Sequence, residues 1–315
     1  MTEEIDQPIP IEPSPRILQM LGHVNFQGWQ CLAELIDNSI DAFLTDRQHD
    51  RPRGEQRIEI SLPSPTELEA GRAVVEIRDN ASGMSLAQVQ DAVRAGYSGN
   101  DPITKLGLFG MGFNVSTARI GLVTEILSHR PEDPEWIGIR IDIDHMVKNR
   151  TWNAPIVREP LTAFDGPSGT KVRITRIPRQ GVVRSMIYGR GKSSLLKKLS
   201  RVYHIAMERY GVQILVNGTP LAPWRLCIWG DSRSVPSQAW MRVPAQFPVD
   251  IALQPLPYCT SCWEWGADGQ TECLLCGATM TSRERRIRGT LGIQRSFSVA
   301  WGEGQLGHFG IDLIR

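Results

Sequence analysis

Fifteen consecutive residues, Trp29 to Phe43, contain neither Gly nor Pro and read as a helix. At 100° per residue, Glu34, Asn38 and Asp41 fall within an arc of roughly 60°. Leu32, Leu35, Ile36, Ile40 and Phe43 fall on the opposite side. One face therefore packs on a core, and the other lines up a carboxylate, a carboxamide and a carboxylate. Such a face is usually just solvated. Asn38 argues the other way: Asn is a poor helix former and gains nothing in mid-helix unless its amide has a task.

A chain of 315 residues is long enough for two domains. The apolar fraction of 41% and charged fraction of 22% are ordinary for a globular protein. A net charge of +1 gives no general attraction to polyanions, so a nucleic-acid contact would need a local patch. The acidic start Met1-Thr2-Glu3-Glu4-Ile5-Asp6 lacks the basic and apolar regions of a signal peptide. No apolar run approaches the ~18 residues of a membrane span. A cytoplasmic protein with reduced thiols and no membrane partner is expected.

Residues 1–15, with Pro8, Pro10, Pro13 and Pro15, read as a flexible arm. After the helix, Thr45 to Glu55 reads as a loop. Arg57–Leu62 and Ala73–Arg78 read as two strands separated by a Pro-rich turn. The second strand delivers Asp79-Asn80-Ala81-Ser82-Gly83-Met84, and Ser85 caps a helix from Leu86. Then comes Gly96-Tyr97-Ser98-Gly99, followed by Lys105-Leu106-Gly107-Leu108-Phe109-Gly110-Met111-Gly112-Phe113-Asn114. Glycines just before a helix expose N–H groups that can hold phosphate. Strands are expected at 121–128 and 136–143, then at Ser168-Gly169-Thr170 through Thr175. A helix from Ser194 to Tyr210 and a strand from Val212 follow, with Asn217-Gly218 as a turn.

The spacing Glu34-x-x-x-Asn38-x-x-Asp41-Ala42, then Asp79…Gly83, then Gly107-x-x-Gly110-x-Gly112, then Gly169-Thr170 resembles the four ordered motifs of the GHKL ATPases. That superfamily includes gyrase, heat-shock chaperone ATPases, histidine kinases, MutL and the MORC proteins. The resemblance covers residues 20–220 and is nearest in type to MORC and MutL. It implies an α+β Bergerat fold, a two-layer sandwich with ATP between helices and a mobile lid. It also implies roles. Glu34 is the general base, Asn38 holds Mg²⁺, and Asp41 orients the surrounding network. Asp79 accepts from the adenine amino group, with Gly83, Met84 and Thr170 around it. Ser98, Lys105, Gly107, Gly110, Met111, Gly112 and Phe113 serve the phosphates. Ala81 stands where the family has its first Gly, so the turn there differs or uses a negative φ. Relatives dimerise on ATP and act as slow clamps, often on nucleic acid, so an ATP-dependent homodimer is implied.

The domains expected are 16–220 for ATP binding and 221–315 for a smaller α/β transducer-like unit, with a zinc knuckle at 255–281. Cys259-x-x-Cys262 and Cys273-x-x-Cys276 are two thiolate pairs suited to tetrahedral Zn²⁺. Two disulfides or a redox pair fit a reducing compartment less well. Cys31 and Cys227 read as buried apolar residues. Gly189-Arg190-Gly191-Lys192-Ser193 is not a P-loop, because Met186 occupies the position of the required first Gly. Arg283, Arg285, Arg286 and Arg288 are a solvated face or a phosphate-contacting patch. The last residues read as a strand with no turn after it, as in a fragment of something longer.

Three other functions share parts of this pattern. A histidine-kinase catalytic domain would lack the carboxylate at position 34. A nucleotide sensor without turnover would be indifferent to loss of Glu34. A zinc-dependent nucleic-acid binder would depend on the arginines and weaken steeply with salt.

Overall fold

In the computed structural model of the chain, residues 13–49, 54–94, 111–163, 165–224, 234–235, 242–244 and 246–292 are described. By its contacts the chain divides between Pro223 and Trp224 into two units. The first begins with α1 (Arg16–Leu21) and α2 (Gly28–Gln48), the latter being the helix expected from Trp29. The α2 start is secured by a capping box between Gln27 and Gln30. Its apolar stripe, Cys31, Leu32, Leu35, Ile36, Ile40 and Phe43, is buried in the main core. The helix runs past Thr45 into the stretch expected to be loop: Asp46 is still buried there, and Thr45 Oγ1 donates to the Asp41 carbonyl at 2.8 Å.

Next come β1 (Arg57–Ser61), α3 (Pro65–Glu69), β2 (Val75–Asp79), α4 (Leu86–Val93) and α5 (Gly112–Ile120). The turn expected between the first two strands holds α3. Ser64 caps it and Glu67 reaches back, with Pro65 at the first position, where its missing N–H costs nothing. Ser85 caps α4 as expected. The unit continues with β3 (Val123–His129), β4 (Glu135–Asp142), α6 (Ile143–Lys148), β5 (Ile156–Pro160) and β6 (Gly169–Thr175). It ends with α7 (Val182–Ile187), α8 (Gly191–Val202), α9 (His204–Tyr210), β7 (Gln213–Val216) and β8 (Thr219–Pro220). The single helix expected from Ser194 to Tyr210 is thus two helices, interrupted at Tyr203. Asn217 and Gly218, both at positive φ, turn β7 into β8.

The eight strands form one mixed sheet in the order β5-β4-β3-β6-β2-β1-β7-β8. Among the described residues of this sheet, only β1 and β7 pair in parallel. On one face Ile58, Ile60, Val75, Ile77, Ile126, Val172 and Ile174 meet the helices. The other face carries charge: Arg173 pairs with Glu76, Glu125 and Glu159, and Lys171 with Glu159. Trp136 lies fully buried on that face, with Lys171 Nζ 4.4 Å and Arg78 Cζ 5.3 Å from its ring centre. Cationic side chains thus roof this buried aromatic ring. This is an α+β architecture with an eight-stranded mixed sheet consistent with the Bergerat fold.

In the second unit β9 (Ser234–Val235) pairs with β10 (Val243–Pro244), and β11 (Gln246–Tyr258) pairs antiparallel with β12 (Thr281–Gly292). No helix occurs among its described residues, so the α/β unit expected there is seen as strands alone. The reason lies in β11, where Phe247, Val249, Ile251 and Leu253 alternate at the strand period. The four arginines lie on β12, divided between its two faces. Arg283 stands over the Tyr258 ring and Arg285 over that of Trp265, while Arg286 and Arg288 share the carboxylate of Asp250. No helix among the described residues is long and apolar enough to cross a membrane.

Candidate functional site

The polar arc of α2 is present, and its members are in different surroundings. Glu34 is half-buried, Asn38 exposed and Asp41 buried. Burial raises the Glu34 carboxyl above its ordinary range. No described residue donates a hydrogen bond to the Glu34 carboxylate, and none engages the Asn38 amide. Against Glu34 lies the start of α5: a Cβ on Gly112 would overlap the Glu34 carboxylate, so a larger residue there would make that side chain move away. Met111 precedes α5 and is partly buried, and Phe113 is buried in the core beside it. Ser98, Lys105, Gly107 and Gly110 lie outside the described residues. Asn114, at the position after the Gly-rich motif, turns inward and donates to the Val93 carbonyl at 3.1 Å.

A second group sits at the ends of three adjacent strands. In register, Asp79 pairs with Thr170, and Thr170 with Ser128. The Asp79 carboxylate accepts from Ser39 Oγ at 2.9 Å and from the Ala81 N–H at 3.0 Å. A carboxylate offers about four acceptor sites, so capacity remains for a ligand donor. Burial nevertheless pushes its pKa up to about 6, against the lowering by Ala81, Ser39 and the Thr170 backbone. Ser128 Oγ donates to the Gly169 carbonyl at 2.8 Å and accepts from the Met84 N–H at 2.8 Å. Its single proton is thereby used, so Thr170 Oγ1, 2.9 Å away, donates to it.

The loop Asp79–Met84 is tied down on every side. Asn80 accepts from the Arg57 N–H at 2.8 Å, Asp46 from the Ser82 N–H at 3.1 Å, and the Ala81 carbonyl from Ser168 Oγ at 2.8 Å. Ala81 is buried and has a negative φ, whereas Gly83 has φ +74°. The substitution at the family's first Gly is therefore absorbed without strain, while the second Gly is required. A Cβ there would also run into the His129 carbonyl.

Ser39 and Ser128 were not singled out in the sequence. Ser39 sits about 100° round the helix from Asn38, off the polar arc. No signal short of the tertiary contact marks it. Through its 2.9 Å bond to Asp79, Ser39 joins the α2 residues to the strand-end group.

In the second unit the four sulfurs of Cys259, Cys262, Cys273 and Cys276 all lie within 4.8 Å of one another. Cys259–Cys276 and Cys262–Cys273 are 3.5 and 3.2 Å apart, far beyond the ~2.05 Å of a disulfide. A tetrahedron of thiolates about a zinc ion has edges of about 3.8 Å. The two pairs are built alike, fourteen residues apart. The Trp263 N–H bonds to the Cys259 carbonyl as Gly277 does to Cys273. Likewise Cys259 N–H bonds to Glu264 and Cys273 N–H to Ala278. Trp263 and Gly277 both have positive φ. The backbone N–H of Cys262 chiefly holds the Cys259 thiol below its ordinary range, while contact with Cys273 raises Cys262, so the four sulfurs share their protons as one cluster. Cys31, by contrast, is fully buried and pushed up to about 12 by that burial, as fits an inert apolar residue; Cys227 lies outside the described residues.

Residues 25–167 match the family model described as histidine kinase-, DNA gyrase B- and HSP90-like ATPase. Among curated proteins nothing matches the chain. The matched span runs from just before α2 to just before Thr170 and holds Glu34, Asn38, Asp79 and the start of α5, so that through residues 25–167 the chain carries a GHKL-type ATP-binding ATPase domain.

Proposed function

We propose that the first unit binds ATP with Mg²⁺ and hydrolyses it slowly to ADP and phosphate. The observation that carries this is the Glu34 carboxylate. It is half-buried, unengaged by any described residue, and set against the first residue of α5. Such a group can orient and deprotonate a water. Asn38, one turn on and unengaged, offers the carbonyl oxygen that would hold Mg²⁺, which when bound neutralises charge on the phosphates. Gly112 and Met111 present the α5 N-terminus to the phosphates. Asp41, buried on the same helix face, orients the network near the base. Phosphoryl transfer needs positioning and electrostatics rather than a nucleophilic side chain.

At the other end Asp79 takes the adenine amino group, with Thr170, Ser128 and Met84 fixing the surrounding wall. Its titration provides the test. An amino donor binds the ionised carboxylate more strongly than the neutral acid, so ATP stabilises the ionised form. With the free-protein pKa at about 6, affinity is full above that pH and falls as pH drops through it, by up to about tenfold per unit. Stability of the ligand-free protein moves the other way. A carboxylate whose folded pKa is raised favours the folded state most below its unfolded pKa, and that favour is lost as pH rises through about 6. ATP affinity by calorimetry between about pH 5 and 8 should show the acid-side loss; a flat profile would remove Asp79 from the adenine contact.

The four cysteines we assign to one structural Zn²⁺. We extend the reading to ATP-gated pairing of two copies, supported by likeness to the GHKL family alone. Sedimentation with a saturating non-hydrolysable analogue should shift monomer toward dimer, and unchanged sedimentation would remove the clamp.

A further inference from the structure

Tyr203 occupies the interruption between α8 and α9, with φ −101° and ψ 10°. It is turned inward, 3% exposed, against α2. Its hydroxyl lies 2.9 Å from the Ala33 carbonyl and 2.7 Å from Asp37 Oδ1. Residues 33 and 37 are the two ends of a single helical turn. Glu34 lies inside that turn and Asn38 directly follows it. The phenol is raised well above its ordinary range, first by burial and then by the charges of Asp37 and Glu34. It therefore remains a donor at every working pH. Nothing in the packing of an apolar helix face calls for this hydroxyl, since a phenyl ring would fill the same space. What the hydroxyl adds is a fixed link between the α8–α9 junction and the turn that presents the base.

We propose that Tyr203 and Asp37 are a positioning pair for ATP hydrolysis, clipping the 33–37 turn so that Glu34 and Asn38 keep their places relative to the phosphates. This rests on the assignment of Glu34 as the base. The pair acts through the backbone of α2, which the hydroxyl reaches at the Ala33 carbonyl. The hydroxyl holds the Asp37 carboxylate, one residue before Asn38, by its Oδ1 at 2.7 Å.

The test compares full-length Tyr203→Phe, Asp37→Ala, Asp37→Asn and the Tyr203→Phe/Asp37→Ala double variant. Phosphate release gives kcat, calorimetry gives ATP affinity, and thermal melting gives the fold. Expected is a fall in kcat of about tenfold to a hundredfold for Tyr203→Phe and for Asp37→Ala. The double variant should be no worse than either, because the two act as a unit. Asp37→Asn keeps an acceptor oxygen and should recover most of kcat. ATP affinity should stay within about twofold throughout. Wild-type kcat in Tyr203→Phe overturns the proposal. So do additive losses, or losses of kcat, affinity and melting temperature in parallel, which mark a purely structural contact. Active wild type with a silent Glu34 variant and an unaffected Tyr203→Phe would sink the pair alone. Absent turnover in wild type would sink the hydrolase reading and this inference together.

Discussion

Glu34→Gln should slow phosphate release about 10³-fold and leave ATP bound. The exchange keeps the side-chain volume and a hydrogen-bonding carbonyl but removes the basic oxygen. A general base contributes about 10²–10⁴ in rate, so a loss near 10³-fold, about 4 kcal/mol of barrier, is the expected result. ATP affinity should change little, because Glu34 makes no contact that anchors the base or the strand-end group. Burial already raises the Glu34 carboxyl, so the acid limb of kcat should lie above that of an exposed glutamate. Single-turnover phosphate release, read beside a binding isotherm, checks both halves. Turnover at the wild-type rate in Glu34→Gln would remove Glu34 as the base.

Loss of zinc should unfold the cysteine-bearing tip of the second unit and spare nucleotide binding. The buried apolar cluster at that tip consists of Cys259, Cys273 and Met280, with Cys262 and Ala278 packed against it. Three of its five members are the proposed ligands themselves, so little apolar burial remains without the metal. Structural zinc in small knuckles is worth about 10–16 kcal/mol in apparent binding free energy, and that binding energy is folding energy. Cys273→Ser, or a strong chelator, should release one zinc per chain and expose the 257–280 segment to protease. ATP affinity should remain within about twofold, since no proposed nucleotide contact lies in this segment. Metal analysis and limited proteolysis read the two effects. A purified chain with no bound metal and a protease-resistant tip would end the zinc assignment.

Local patterns were readable wherever their cause is local. The α2 helix follows from apolar spacing that the core then accepts unchanged, since Leu32, Leu35 and Ile36 are at most 2% exposed. Ser85 at the start of α4 and the Asn217-Gly218 turn depend only on nearby backbone groups. The double C-x-x-C pattern brings its sulfurs together because each pair sits in its own tight turn. The α3 helix was legible in the Ser64…Glu67 capping pattern but was masked by neighbouring prolines. One of these prolines favours the helix start rather than breaking it.

What the sequence alone determined is the helical row of Glu34, Asn38 and Asp41, the Asp79 loop and the pairing of four cysteines, because each arises from interactions within a few residues. Tertiary structure decided what surrounds them. Ser39 belongs to the site only because the end of β2 arrives beside α2, and Ser128 only because β3 lies next to β6. Tyr203 leaves the helical path to place its hydroxyl on a turn 166 residues away from it in sequence. Contacts between remote segments set these positions, and the spacing within either segment carries no record of the other.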